Sequence, residues 1–281
     1  MKNLLRTLVY DNQVSVTIAD TTEMVQRGME LHHLARGSAY VFGKALSLMT
    51  FMSACLKEEK GEISLSLKGD AVGEIAVSGN RQLAMRGYIL AQNVEEESAE
   101  QSLLSGNAYL TIIRDDGYNR PFVGACALPE EGGLDAGFEE YFRISEQLPT
   151  RLASVVEFEA EKVSFAGVIA VQPLPFADEQ TLKRVDALPL EEIAQKIKKE
   201  GTMSALTSYF EVEEGRIEAR LARYKCNCSR RYLTRVLVSL GENQMRQIIR
   251  EDGAVRVHCH YCNTDYTFGE EDADQLFSKN E

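Results

Sequence analysis

Six cysteines occur in this 281-residue chain, and four of them fall within 37 residues: Cys226 and Cys228, then, after a gap of 30, Cys259 and Cys262. Thiolates in close pairs are good ligands for a borderline-soft cation, and two such pairs supply the tetrahedral set of a structural Zn²⁺ site. The gap is long enough to fold and close on the ion. The competing use of the same sulfurs is a disulfide framework. Around a bound Zn²⁺ four thiolates leave net negative charge, which Lys225, Arg230, Arg231 or protonated His258 and His260 can partly offset. Coordination also keeps sulfur deprotonated, the form that oxidants attack. If peroxide or hypochlorite oxidises the cluster, Cys226 can pair with Cys228 and Cys259 with Cys262, removing the ligands. Spacing alone does not separate such a switch from a closed structural site.

The other two thiols read differently. Cys55 ends an apolar run and Cys126 sits in Val-Gly-Ala-Cys-Ala-Leu (residues 123–128), so both are expected to be small buried hydrophobes with structural roles. His32 and His33 are adjacent, which on a helix points them about 100° apart and rules out one shared site. A surface or packing role follows. The sequence holds no Gly-rich phosphate loop, no Gly-x-Ser-x-Gly elbow and no His-Glu-x-x-His, and no base can be assigned to either isolated thiol. A non-enzymatic protein is expected, with no catalytic residues.

The elements that must position the cysteine pairs are legible in outline. Hydrophobic content of 44% supports a real core, and the length suits a core domain with a smaller appendage. Val14, Val16 and Ile18 alternate as in a strand, and two helices are expected after the cap signal Asp20-Thr21-Thr22. The run 39–56 is nearly all apolar but short for a membrane span and interrupted by Lys44, so a buried core helix is expected. A β-meander follows over 62–68, 75–78, 83–90 and 109–114, with turns at Gly69-Asp70 and Gly79-Asn80. A helix over about 134–146 should bury Phe138, Tyr141 and Phe142, and a hairpin should lie around Val155 and Val168.

From 178 to 225 the composition changes, with 19 charged residues in 48. Helical pieces at 190–200 and 203–209, split by Gly201, and a short strand near Ala219 are expected, docked weakly through Leu188, Leu190, Ile193, Ile197, Leu206 and Phe210. In the last segment Ser229 caps a helix that stops at Gly241. A second helix covers 243–250, and strands at 254–258 and 266–268 flank the Cys259–Cys262 turn. The fold class is therefore α+β: a β-rich N-terminal core with flanking helices (1–177), a charged helical linker (178–224) and a small C-terminal zinc-binding domain (225–281).

The formal net charge is -12, so phosphate backbones are repelled and nucleic acid is a disfavoured partner. A zinc-ribbon regulator of nucleic acid is the alternative reading, but residues 225–281 carry 8 Lys/Arg against 9 Asp/Glu. The N-terminus lacks an export signal, which gives a cytoplasmic expectation in which thiols stay reduced and serve metal or redox chemistry. No membrane partner is expected.

Cys-Asn-Cys-Ser-Arg (226–230), Val-His-Cys-His-Tyr-Cys-Asn-Thr-Asp-Tyr-Thr-Phe (257–268) and Tyr-Phe-Arg-Ile-Ser-Glu-Gln-Leu-Pro-Thr (141–150) resemble the signatures of the bacterial heat-shock protein 33 chaperone family. Met-Arg-Gly-Tyr (85–88) and Gly-Asn-Ala-Tyr (106–109) fit it too, so the resemblance spans the chain. It implies an ATP-independent holdase that is inactive while reduced and loaded with one zinc per chain, and is activated by oxidation together with unfolding conditions. It assigns metal binding and redox sensing to Cys226, Cys228, Cys259 and Cys262, a metastable linker to 178–224, client binding to unfolded proteins, and homodimers to the active state. Cys55 and Cys126 are extra thiols outside the four-cysteine motif.

Overall fold

Two alternating patterns, one of period two and one of helical period, build two sheets with a helix buried between them. The computed structural model describes residues 2–95 and 98–277, and its contacts divide the chain into two units, 1–225 and 226–281. The first unit runs β1 (Leu4–Val9), β2 (Val14–Asp20), α1 (Thr22–His32), α2 (Arg36–Ala54), β3 (Glu62–Gly69), β4 (Gly73–Asn80) and β5 (Ala84–Ile89). It continues through α3 (Ala99–Leu104), β6 (Tyr109–Asp115), β7 (Phe122–Ala127), α4 (Gly133–Tyr141), a π-helical turn (Phe142–Glu146), β8 (Arg151–Glu159) and β9 (Lys162–Pro173). It closes with α5 (Glu179–Asp186), α6 (Leu190–Tyr209), β10 (Glu218–Arg220) and β11 (Arg223–Tyr224).

One sheet has the order β10-β1-β2-β9-β8 and the other β11-β5-β4-β3-β6-β7. The apolar run becomes α2, which packs on strands of both sheets and exposes almost nothing. A helix apolar on every side belongs in a core, and here each side meets a sheet or a helix. The five-stranded sheet is buried on both faces. Ala166, Val168 and Ala170 of β9 face the α2 side, whereas Phe165, Ile169 and Val171 of the same strand join Val14, Val16 and Ile18 of β2 on the other side. Two-sided burial explains why β2 and β9 are apolar along most of their length.

That second face is covered by the charged segment. Ile193, Ile197 and Leu206 of α6 are at most 1% exposed, and Leu190 and Phe210 are also buried. The segment is sparse in apolar residues, but those it has recur at helical spacing and land on one face. Asp178 caps α5 by accepting from Thr181 N at 2.7 Å, and Arg151 of β8 donates to the carbonyls of Val185 and Asp186. Gly201 has φ 86°, a left-handed conformation that breaks α6 where glycine is tolerated best. The same segment ends in edge strands of both sheets: β10 pairs with β1, and β11 pairs in parallel with β5. Tyr224 Oη donates to Gly87 O at 2.7 Å, accepts from Gly87 N and lies 3.0 Å from Nε2 of the buried His32. Packing is thus the role of His32.

The second unit is α7 (Arg230–Leu240), α8 (Glu242–Asp252), β12 (Val255–Cys259), β13 (Thr264–Phe268) and α9 (Glu270–Phe277). Ser229 Oγ accepts from Tyr232 N at 3.1 Å as the N-cap of α7, and Gly241 with φ 93° separates α7 from α8. Its core is six buried residues: Leu237, Met245, Ile249, Val255, Phe268 and Ala273. The expected helix-helix-hairpin order holds, and α9, which the cysteine spacing does not announce, is added to it. So are β1 and α3 in the first unit, which extend or cap elements already in place.

Candidate metal centre

The extended stretch before α7 carries Cys226 and Cys228, the end of β12 carries Cys259, and the following turn carries Cys262. The hairpin register sets Cys259 opposite Thr264, and Cys262 N donates back to Cys259 O at 3.3 Å. Asn263 takes the left-handed conformation, φ 50°, that so tight a reversal needs. The turn therefore presents two sulfurs on one side, and the α7 N-cap fixes where the other two arrive.

All four Sγ atoms lie within 4.8 Å of one another. Cys226 and Cys259 are 3.8 Å apart and Cys228 and Cys262 3.1 Å. A tetrahedral site with Zn–S bonds of about 2.3 Å needs sulfurs roughly 3.8 Å apart, so the arrangement accommodates that ion. Among the described residues this is the group of His, Cys, Asp and Glu ligands close enough to share a metal. Each cysteine is half-buried.

The partners of the sulfurs are mostly neutral. Tyr266 Oη lies 3.3 Å from Cys228 Sγ, Thr264 Oγ1 lies 3.3 Å from Cys262 Sγ, and Cys228 N donates to Cys226 Sγ at 3.5 Å. Thr264 and Tyr266 are two apart on β13, hence on one face of the hairpin; that alternation was the available signal for them. Such outer hydrogen bonds orient ligands and tune their basicity. Of the expected counter-charges, Arg230 is engaged elsewhere: it pairs with Asp272 at 2.6 Å and lies over the Phe268 ring. His258 pairs with Asp265 at 2.8 Å.

Burial pushes the Cys226 thiol well up, and burial with the neighbouring thiols brings Cys262 to about 11. Burial also resists charge at Cys228, yet hydrogen bonds from Tyr266 and the other sulfurs draw it down. Four thiols this close do not all ionise without a cation among them, and a divalent ion supplies that compensation.

Cys55 and Cys126 belong to the first unit and take no part in the cluster. Cys55 caps the end of α2 with its sulfur 3.9 Å from Gln172 Oε1, and burial raises its pKa. Cys126 is buried, donates to Gly137 O at 3.7 Å, and is pushed up to about 11. Both remain thiols at neutral pH. With chelator present at about pH 7.5, iodoacetamide is expected to label Cys226, Cys228, Cys259 and Cys262 well before Cys126, as read by mass mapping over time. Equal labelling of Cys126 would contradict this.

A family model described as Hsp33 protein matches residues 2–269. The chain belongs to the Hsp33 family. Curated relatives named 33 kDa chaperonin include one from Ruminiclostridium cellulolyticum, 32% identical, with 93% of each chain covered. Another is from Alkaliphilus oremlandii, 30% identical over 99% of this chain and 97% of that protein. The crystal structure of the 33 kDa chaperonin from Thermotoga maritima superposes with a TM-score of 0.82 at 25% identity, covering 100% of this chain and 99% of that one. Membership in this family gives the chain a chaperone role, and the mixed helix-and-strand fold matches that structure; the cysteine cluster near the C-terminus of this chain fits a zinc-binding domain. Family relatives carry chaperonin names rather than enzyme names. Among the described residues no helix is long and apolar enough to cross a membrane.

Proposed function

We propose that the chain is a redox-regulated, ATP-independent holdase whose switch is the cluster Cys226, Cys228, Cys259 and Cys262. One Zn²⁺ per chain would cross-link the hairpin turn to the segment before α7. The observation that carries this reading is a four-sulfur cluster inside a unit with a six-residue core. So small a core gives little stability, whereas a Cys₄ zinc site contributes on the order of 10 to 16 kcal/mol at neutral pH.

Oxidation takes two electrons from each pair of thiolates, and peroxide accepts them as it is reduced to water. A sulfur in a disulfide no longer binds the metal, so electron loss becomes loss of shape. The linker, 178–224, is the second part of the switch, because α6 shields the apolar face formed by Val14, Val16, Ile18, Ile169 and Val171. Uncovered, that face on the 1–177 core would bury the apolar segments of unfolded clients. Acidic charge keeps such complexes dispersed, and the active molecules associate as homodimers in the cytoplasm.

The test is light scattering of a denaturing client with a zinc-sensitive dye in the same cuvette. Reduced protein should fail to protect, and oxidation should release one zinc per chain and confer protection. Protection by the reduced, zinc-loaded form would sink the reading. Peptide mapping of the oxidised protein reads the pairing: unfolding before bond formation favours Cys226 with Cys228 and Cys259 with Cys262. Bond formation inside the intact cluster favours the shorter contact between Cys228 and Cys262.

The linker has its own expected result. Ile193→Ser puts a hydroxyl into a fully buried position against the sheet and should undock α6, at a cost of about 2 to 5 kcal/mol. The oxidised variant should then protect clients without heating, at a temperature where the oxidised wild type does not. An unchanged temperature requirement would remove the linker from the mechanism.

A further inference from the structure

The C-terminal end of α2 is met by arginines from three separate elements. Arg6 of β1 donates to Ala54 O at 3.1 Å, and Arg81, in the turn between β4 and β5, donates to Leu56 O at 2.6 Å. Cations suit the last carbonyls of a helix, so capping α2 accounts for both contacts. Arg220 of β10 is the third. The strand register sets Arg220 opposite Leu4 and Glu218 opposite Arg6, so Arg6, Glu218 and Arg220 share the sheet face on which Leu4 joins the α2 core. Among the described residues no carbonyl receives the Arg220 side chain. Its Nη1 is buried without a hydrogen-bond partner, and its Nε lies 3.6 Å from Glu218, which is itself half-exposed. Burial lowers the Arg220 pKa against the pull of Glu218, and Arg81 and Arg6 lower it further, so the three guanidinium groups stand within electrostatic reach of one another. Capping leaves this third cation unexplained. A guanidinium buried beside two like charges is costly, and among the described residues Glu218 is the one carboxylate paired with any of the three.

The Arg220 side chain is 17% exposed, and with Arg81, Gln82 and Glu218 it lines an open cleft of about 560 Å³. That volume is usual for small-molecule sites. Guanidinium groups reaching one cleft from different elements suit the oxygens of a phosphate, which accepts several charge-assisted hydrogen bonds at once. Three cations against one carboxylate leave two positive charges in excess. A phosphate group, with a charge of about -1.5 to -2 at neutral pH, offsets that excess better than a single carboxylate would. The net charge of -12 on the whole chain repels long polyanions, so this local basic site suits a small ligand.

We propose that Arg220, Arg81 and Arg6 form a binding site for a phosphate group, and that the bound anion clamps β10 to the core. Arg220 belongs to the linker, 178–224, whereas Arg6 and Arg81 belong to the 1–177 core, so one anion shared among them opposes release of the linker. The clamp deepens the reading above and rests on it only for the linker's part in the switch. A ligand held by the docked state alone stabilises that state by mass action, so phosphate raises the threshold for activation.

The test is calorimetric titration of inorganic phosphate into the full-length, reduced, zinc-loaded protein, at fixed ionic strength in chloride. Saturable binding is expected, and Arg81→Gln and Arg220→Gln should each weaken it about tenfold, near 1.4 kcal/mol. If circular dichroism shows that Arg220→Gln does not fold, Arg81→Gln in the turn carries the comparison. At ten times its dissociation constant, phosphate should also slow hydrogen exchange of the β10 amides about tenfold in the wild type. A parallel titration with glycerol 3-phosphate separates the sources: tighter binding than inorganic phosphate assigns a phosphomonoester as the occupant, and weaker binding assigns the free ion. Absence of saturable binding, or variants that bind phosphate as the wild type does, would overturn the site. Binding that leaves β10 exchange unchanged would overturn the clamp. Neither measurement involves a client, so a protein that binds phosphate but never protects clients removes the holdase reading and leaves the site standing.

Discussion

Stripping the metal from the reduced protein is expected to unfold residues 226–281 and leave the first unit folded. Native stability runs at about 0.05 to 0.15 kcal/mol per residue, so a unit of this size would hold roughly 3 to 8 kcal/mol in total. The contribution of a structural zinc, about 10 to 16 kcal/mol, exceeds that whole amount. The unit without its ion should therefore lie on the unfolded side. Hydrogen exchange read by mass spectrometry checks this: after chelation α7, α8, β12 and β13 should lose protection together, while α2 and β3 to β6 keep theirs. Cys262→Ser should do the same without chelator. Full protection of the hairpin in metal-free protein would show that Leu237, Met245, Ile249, Val255, Phe268 and Ala273 suffice, and the redox switch would lose its physical basis.

The second large effect lies in the first unit. Lys44 is buried in α2, with Nζ 2.9 Å from Glu100 and 3.2 Å from Asp135. Those carboxylates are themselves committed: Glu100 accepts from Leu134 N at the start of α4, and Asp135 accepts from the hydroxyl and N–H of Ser154 on β8. One ammonium thus ties α2 to α3, α4 and β8. Lys44→Met removes it and leaves two carboxylates facing each other with no cation, at a cost of about 3 to 5 kcal/mol. For a unit of this size that corresponds to a fall in Tm of roughly 6 to 20 °C, measured by circular dichroism with zinc retained. Neutralising the partners as well, with Glu100→Gln and Asp135→Asn, should recover most of the loss. Equal melting of Lys44→Met and wild type would show that the cluster is not structural.

The pH dependence of that cluster has a definite sign. Burial works against the charge on Lys44, but Asp135 and Glu100 outweigh it and raise its pKa above the ordinary 10.5. A raised cation contributes stability that is complete below its unfolded pKa and disappears as pH climbs through the folded one, so the wild-type contribution should fade in alkali. Burial raises Asp135 against the pull of Lys44. For a raised carboxyl the folded state holds the extra proton, so in Lys44→Met the penalty should grow as pH rises from the ordinary carboxylate range towards neutrality. The variant should look least damaged in mild acid.

Local rules account for much of what was legible in the chain. Alternation placed β2 through β6, and the Ser229 and Gly241 signals bounded α7. Gly201 split α6, and two cysteine pairs marked the four sulfurs that the fold brings within 4.8 Å of one another. These features depend on neighbours in sequence: side-chain period, cap chemistry and ligand spacing are decided within a few residues. The family likeness was carried by the same short strings.

Tertiary structure decided the rest, because a contact partner across a fold leaves no mark on local pattern. The polar character of 178–224 suggests weak docking, yet Ile193, Ile197 and Leu206 are buried on the five-stranded sheet. Composition counts residues, whereas burial depends on which face they share. Thr264 and Tyr266 become sulfur partners through the β12 and β13 register, and Lys44 looks like an interruption until α3 and α4 bring it carboxylates. The place of β7 at the end of its sheet is likewise invisible to sequence. A strand's alternation says which side chains it buries but not which strands lie beside it, and that order is fixed only when the whole sheet is assembled.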